Sequence, residues 1–241
     1  MEILIIIQAR MGSTRLPGKV LKPLGASTVI NYVVSRCKQI QKTLGIIVAT
    51  STLKQDDQIE EWCKKHDITC YRGSESDVLS RYYHCAKQYN PDYVIRVTAD
   101  CPFIDYNFAN QIINRMEKNP ADIVIVHGHL PRGLVVEMIA FAALEFIYKY
   151  GYETRHREHV TYYAYEHPSK FKHTKVIAPS FLNHPELRIT LDTIEDYQMC
   201  CVVADYFKGE ILIPSRDVVE YLVTHANVAN MNAHITQKPV E

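Results

Sequence analysis

The chain has 241 residues, with 27 Lys+Arg against 27 Asp+Glu and a formal net charge of zero. It is 47% apolar and 22% charged, a globular balance that excludes a disordered chain and gives no bulk attraction to nucleic acid or an anionic membrane. No apolar run nears bilayer length, no basic segment opens the chain, and its seven cysteines include no C-x-x-C pair; a cytoplasmic protein with reduced thiols is expected, without signal peptide or membrane span.

Residues 2–8 (EILIIIQ) form a nearly continuous β-branched run, as in a strand buried on both faces of a parallel sheet. A Gly/Pro-punctuated loop follows, then a helical pattern over residues 28–41 and a strand over 45–50. A helix over 56–66, a short strand over 69–71 and a helix over 77–88 come next. Residues 93–97 read as a central strand, 105–117 as a helix and 121–127 as a further strand. This β-then-α rhythm specifies an α/β fold with a doubly wound, mostly parallel sheet of Rossmann-like type.

The rhythm changes after residue 127. Strands are expected over 134–139, 172–178 and 187–190, and helices over 141–149, 153–166, 195–207 and 216–225; the last fifteen residues read as an arm or frayed end. One domain spans 1–241: a nucleotide-binding half (1–127), an irregular excursion (128–190) covering one sheet edge and carrying sugar and subunit contacts, and C-terminal helices with a tail (191–241).

The loop after the first strand reads Gln8-Ala9-Arg10-Met11-Gly12-Ser13-Thr14-Arg15-Leu16-Pro17-Gly18-Lys19. In open α/β sheets ligands bind beyond the carboxyl ends of the strands. Arg10, Arg15 and Lys19 there can neutralise several phosphate charges; Ser13 adds a hydroxyl, and Gly12 lets backbone N–H groups approach an oxyanion. The loop is neither a G-x-x-x-x-G-K-[ST] nor a G-x-G-x-x-G motif, so ATPase and NAD readings fail by pattern.

Two acids lie at other strand ends. Asp100 stands before Cys101-Pro102, where proline keeps the preceding backbone extended. Asp192 stands in Thr190-Leu191-Asp192-Thr193, before a helix. Mg²⁺ takes one or two carboxylates with phosphate oxygens and water, and this pair facing a triphosphate would supply them. Each also has a purely structural reading, Asp100 as a turn cap and Asp192 as a helix N-cap, although Thr193 and Asp196 form a capping-box pattern that would do the latter job.

The string IIQARMGSTRLPGKVL resembles the signature of the CMP-sugar synthetases, the acylneuraminate and 3-deoxy-manno-octulosonate cytidylyltransferases, and is nearest to their spore coat polysaccharide (SpsF-like) branch. The likeness continues through Arg72-Gly73-Ser74, Asp77-Val78-Leu79-Ser80-Arg81, Asp100-Cys101-Pro102-Phe103-Ile104-Asp105, Arg157-Glu158-His159-Val160 and Leu191-Asp192-Thr193. It implies a nucleotidyltransferase that joins CTP to an acidic sugar with Mg²⁺ and releases pyrophosphate. Asp100 and Asp192 fall in the family's metal positions, with Arg10, Lys19 and Asp100 as catalytic groups.

On the same resemblance, nucleotide contacts fall to Ala9, Arg10, Gly12, Ser13, Arg15, Lys19, Arg72 and Asp77. Backbone groups of Ala9 with Arg72 or Ser74 would read the base; Asp77 has a helix-capping alternative. Sugar contacts are expected from Arg132, Glu137, Glu158 and His159, with Arg155, Arg157 and Arg188 as further candidates for a sugar carboxylate. One departure stands out: the SpsF-like pattern reads Gly-Leu-Asp-Val-Glu where this chain has Gly133-Leu134-Val135-Val136-Glu137. His156 and His159 lack a third ligand at zinc spacing.

Sixteen tyrosines, many on predicted helices, suggest a homodimer through residues 128–170. A nucleotide-sugar-dependent glycosyltransferase on the same sheet is the alternative, although such enzymes commonly carry Asp-x-Asp where this chain reads Ala99-Asp100-Cys101. A non-catalytic nucleotide-binding partner of a polysaccharide machine is a third reading.

Overall fold

The computed structural model describes residues 1–236. In chain order the strands are β1 (Ile3–Gln8), β2 (Pro23–Leu24), β3 (Ser27–Thr28), β4 (Thr43–Ser51), β5 (Thr69–Gly73), β6 (Tyr93–Thr98), β7 (Ile123–His127), β8 (Glu137–Ala140) and β9 (His173–Ile177). The helices are α1 (Val29–Cys37), α2 (Asp57–Lys65), α3 (Val78–Lys87), α4 (Tyr106–Lys118), α5 (Phe141–Tyr150), α6 (Thr154–Glu158), α7 (Tyr162–Glu166), α8 (Ile194–Tyr206), α9 (Ser215–Thr224) and α10 (Ala226–Ala229). Seven strands form one sheet in the order β5-β4-β1-β6-β8-β7-β9, and β8 runs antiparallel to its neighbours β6 and β7.

The pleat of β1 explains the layers. Ile3, Ile5 and Ile7 pack with α1, α4 and α8 in one core, whereas Leu4 and Ile6 point the other way, into a core with α3 and α5. A strand with apolar groups on both sides is stable only between two helical layers, so β1 lies in the sheet interior, paired in parallel with β4 and β6.

Within the excursion expected over 128–190, β8 inserts between β6 and β7 and β9 forms the outermost strand. Three expectations change. Residues 187–190 form no strand, only a single bridge between Arg132 and Arg188. A Cβ on Gly133, at φ +94°, would lie 2.5 Å from the Ile189 carbonyl oxygen, so this crossing needs glycine. The expected helix 153–166 breaks after Glu158, and the break buries Val160 and lets Thr161 bond Glu137. In the described part of the expected arm or frayed end the chain is anchored: α10 forms, and Asn232 is buried, donating to the Arg188 carbonyl at 3.0 Å and to Asp196 at 2.8 Å. Residues 237–241 lie outside the described residues.

Arg36, fully buried on α1, ties the C-terminal segment to the sheet. Its guanidinium donates to the carbonyls of Ile104 (2.8 Å), Ile211 (2.9 Å) and Ile213 (2.7 Å) and to Ser215 Oγ (2.9 Å). Burial pushes its pKa down to about 10. Arg36→Met strands these acceptors and is expected to cost about 3–5 kcal/mol in urea unfolding. No helix among the described residues is long and apolar enough to cross a membrane, and all seven cysteines are free thiols.

Candidate active site

The loop after β1 is braced from below by a residue the sequence reading overlooked. Asp56, fully buried just before α2, accepts Met11 N–H at 2.7 Å, Ser51 N–H at 3.2 Å and the Ser51 hydroxyl. The loop also closes on itself, with Gly18 N–H donating to the Met11 carbonyl at 2.9 Å and Leu16 N–H to Ser13 Oγ at 3.3 Å. Ser13 therefore helps form the turn. Gly12 has no left-handed backbone; a Cβ there would lie 2.7 Å from the Gln55 amide nitrogen, a flexible side-chain end.

The end of the loop delivers Lys19 between the two acids. Its ammonium donates to Asp100 Oδ2 at 2.5 Å and to Asp192 Oδ1 at 2.8 Å, joining the ends of β1 and β6 to the N-terminus of α8. Arg15 reaches Asp192 Oδ2 at 3.3 Å, and Arg188 reaches the same oxygen at 2.9 Å. Behind them Asp196, also fully buried, accepts Arg188 Nε at 2.9 Å and the N–H groups of Asp192 and Thr193. Thr193 is the N-cap of α8 and closes a capping box with Asp196, so Asp192 is left for the site.

Burial opposes the charge on Lys19, but Asp100 and Asp192 outweigh it and hold the ammonium pKa above its usual 10.5. Burial likewise opposes ionisation of Asp192, and Lys19, Arg15 and Arg188 hold its carboxyl below 3.8. A depressed carboxyl contributes stability that is present above its unfolded pKa and is lost as pH falls through the folded value. The urea midpoint is therefore expected to drop below about pH 4, and to drop less in Asp192→Asn.

Arg10 is exposed and rests 3.3 Å from Glu75. Arg72, an expected nucleotide contact, is turned elsewhere: it pairs with Asp57 at 2.7 Å and Glu60 at 2.6 Å and bonds the Ser51 and Leu53 carbonyls, so it fastens β5 to α2. Ala9 N–H is engaged by the Ala49 carbonyl at 3.1 Å, which removes it as a donor to a base. Asp77 caps α3 by accepting Ser80 N–H at 2.8 Å, with Arg157 at 3.4 Å. Arg81, buried one turn later, donates to the Ser74 carbonyl at 2.8 Å.

Among the expected sugar residues, Glu137 lies where β8 meets β6, bonded to Arg96 at 2.5 Å, Thr161 at 2.9 Å and Tyr165 at 3.3 Å. Arg96 was not foreseen; its guanidinium also reaches Gln8 at 3.2 Å. Burial, aided by the Arg96 cation, lowers the His159 pKa. Glu158 and Arg132 are exposed. His156 is buried against Glu166 at 2.5 Å, and Arg155 pairs with Glu153 and Glu166. Arg188, held by two aspartates, serves the acid network.

The cationic loop and the two separated acids meet beyond the carboxyl ends of the strands, where open α/β sheets bind ligands. Residues 4–210 match the pattern of the cytidylyltransferase family, and the chain belongs to that family. It is 36% identical to the spore coat polysaccharide biosynthesis protein SpsF of Bacillus subtilis, over 82% of this chain and 84% of that one. It is 30% identical to an 8-amino-3,8-dideoxy-manno-octulosonate cytidylyltransferase of a Shewanella species, over 51% of this chain and 50% of the other. The solved structure of a cytidylyltransferase from Leptospira borgpetersenii superposes with a TM-score of 0.88 at 30% identity, covering 99% of this chain and all of that one (100%).

Proposed function

We propose that the chain transfers the cytidylyl group of CTP to a hydroxyl of a small acidic sugar of octulosonic or nonulosonic type and releases pyrophosphate, as a step in surface or spore coat polysaccharide assembly. The observation that carries this reading is the Lys19 ammonium gripped by both Asp100 and Asp192 at the end of the braced loop. The relatives' names, a spore coat polysaccharide protein and an octulosonate cytidylyltransferase, support the substrate class.

The two carboxylates fit Mg²⁺. They are hard oxygen donors that already share one cation, the Lys19 ammonium. Two carboxylates suit Mg²⁺, which takes its other positions from phosphate and water. When bound, the ion supplies charge neutralisation at the α-phosphate and acidifies an adjacent hydroxyl.

The protein's own groups bind and orient. Arg10 and Arg15 meet the β- and γ-phosphates, and Lys19 leaves the acids to follow the developing charge of the pyrophosphate. The acceptor oxygen bonds to the α-phosphorus, its proton passes to water, and the α–β bridging oxygen departs with the bonding pair. Alignment and charge supply most of the acceleration.

The test mixes protein, CTP, Mg²⁺ and a panel of octulosonic and nonulosonic acids and follows pyrophosphate. Release with a panel member that vanishes in Asp100→Ala supports the reading. Binding of UDP- or GDP-sugars without pyrophosphate release points to glycosyl transfer instead. The reading includes a homodimer through residues 128–170, where Phe146, Tyr150 and Tyr152 lie exposed; sedimentation as a monomer at micromolar concentration removes that part.

A further inference from the structure

Asn232 follows α10 and reaches the acid network from behind, with only 1% of its surface exposed. Its side-chain nitrogen donates to the Arg188 carbonyl at 3.0 Å and to Asp196 Oδ1 at 2.8 Å. Both of these atoms are acceptors. An amide NH2 has two protons and satisfies them together, whereas a carboxylate oxygen in its place would satisfy neither.

This one amide fixes both ends of Arg188. It holds the backbone carbonyl directly, and it orients the carboxylate that grips the guanidinium. Asp196, fully buried, accepts Arg188 Nε on Oδ1 at 2.9 Å and Arg188 Nη2 on Oδ2 at 3.1 Å. Its Oδ2 also takes the N–H groups of Asp192 and Thr193, so Asn232 adds a neutral donor on the Oδ1 side. Gripped in this way, the guanidinium presents Nη2 to Asp192 Oδ2 at 2.9 Å.

Lys19, Arg15 and Arg188 all touch Asp192, and they differ in freedom. The Arg15 side chain is 34% exposed, and Arg15 and Lys19 are the groups assigned above to the phosphates. The Arg188 side chain is 6% exposed and tied to Asp196, so it stays on Asp192 when the other two turn to the nucleotide. Its placement then sets the direction of the Asp192 carboxylate.

We propose that Asn232 is a positioning residue for cytidylyl transfer: by clamping both ends of Arg188 it aims Asp192, which makes the C-terminal segment part of the active site. The inference rests on the cytidylyl-transfer reading above. Asn232 acts through Arg188 and touches no reacting group.

Asn232→Leu removes both protons at nearly constant volume, and Asn232→Asp keeps the shape while setting an acceptor against two acceptors. With CTP, Mg²⁺ and the acceptor that the panel identifies, each is expected to lose about 10- to 100-fold in kcat, the scale of losing a group that orients a ligating side chain. KM for CTP is expected to stay within about threefold. Val228→Ala loosens the same segment, since Val228 on α10 is buried in the core; its urea midpoint should fall while kcat stays within about twofold. Arg188→Met lowers kcat by itself, and adding Asn232→Leu to it lowers kcat no further, because the residue acted upon is gone.

A readout independent of turnover is the Arg188 Nε–H resonance in nitrogen-15 spectra, identified by its loss in Arg188→Lys. It is expected to shift or broaden in both Asn232 variants and to stay in place in Val228→Ala. Where Asn232→Leu does not fold, Asn232→Ser, with one hydroxyl proton for two acceptors, gives the same comparison at a smaller loss. An Asn232 variant with kcat within about threefold of wild type, an equal loss in Val228→Ala, or an additive loss in the Arg188→Met background overturns the inference and leaves cytidylyl transfer standing. No pyrophosphate from the wild type overturns the transfer reading. The clamp on Arg188 then stands if the resonance moves in the Asn232 variants and falls if it does not.

Discussion

Asp100→Ala is expected to lower kcat for pyrophosphate release by about 10³-fold or more, the scale seen when a group that stabilises transition-state charge is lost. The same substitution is expected to leave CTP binding in EDTA unchanged or tighter. Both follow from the charges around Lys19. Removing Asp100 deletes a negative group 2.5 Å from the ammonium and leaves Lys19, Arg15 and Arg188 facing the single carboxylate of Asp192. A more positive site attracts a tetra-anionic nucleotide, yet it lacks half of the oxygen pair that would hold Mg²⁺ at the α-phosphate. Isothermal titration in EDTA and steady-state pyrophosphate release separate the two effects. Turnover within tenfold of wild type would remove Asp100 from the chemistry.

Lys19→Met carries the second large effect, with opposite signs in two measurements. Turnover should fall by about 10²- to 10³-fold, because the variant lacks the cation we propose to meet the leaving pyrophosphate. Mn²⁺ binding by the nucleotide-free protein should rise at least tenfold. On the proposed metal reading the ammonium and a divalent ion would compete for Asp100 Oδ2 and Asp192 Oδ1, which Lys19 now bonds, and methionine removes the competitor while keeping much of the volume. Electron paramagnetic resonance of free Mn²⁺ reads the binding directly. Thermal melts add an independent check, since a ligand that binds only the folded state raises Tm. Equal Mn²⁺ affinity in wild type and variant would show that Lys19 does not hold the metal position.

The two halves of the chain were unequally legible. Residues 1–127 carry continuous β-branched runs and amphipathic helices at regular intervals, and the strands and helices read there are present with shifts of a few residues. The hairpin of β2 and β3 escaped notice because two-residue strands have no periodicity to read. The region after residue 127 gave less away. Four residues of β8 look alike at a sheet edge or between two strands, and what seats them in the interior is their pairing with β6 and β7.

The site residues divide in the same way. Arg15, Lys19, Asp100 and Asp192, singled out as cations in a Gly/Pro loop and acids at strand ends, do meet in space, whereas Arg10 pairs with Glu75. Arg72 looked equivalent to them, but α2 carries Asp57 and Glu60 within its reach. Arg96 and Asp56 gave no local signal: one is a single charge in a strand, the other an acid before a helix, and each gains meaning only from its partners.

The order of residues alone determined the alternation of strand and helix and the chemistry gathered after the first strand, since both are written in neighbouring positions. Folding decided which charges meet. Lys19 finds its acids 81 and 173 residues further along the chain. Such pairs are selected by the sheet order that brings strand ends together and by the cost of burying any charge without its opposite.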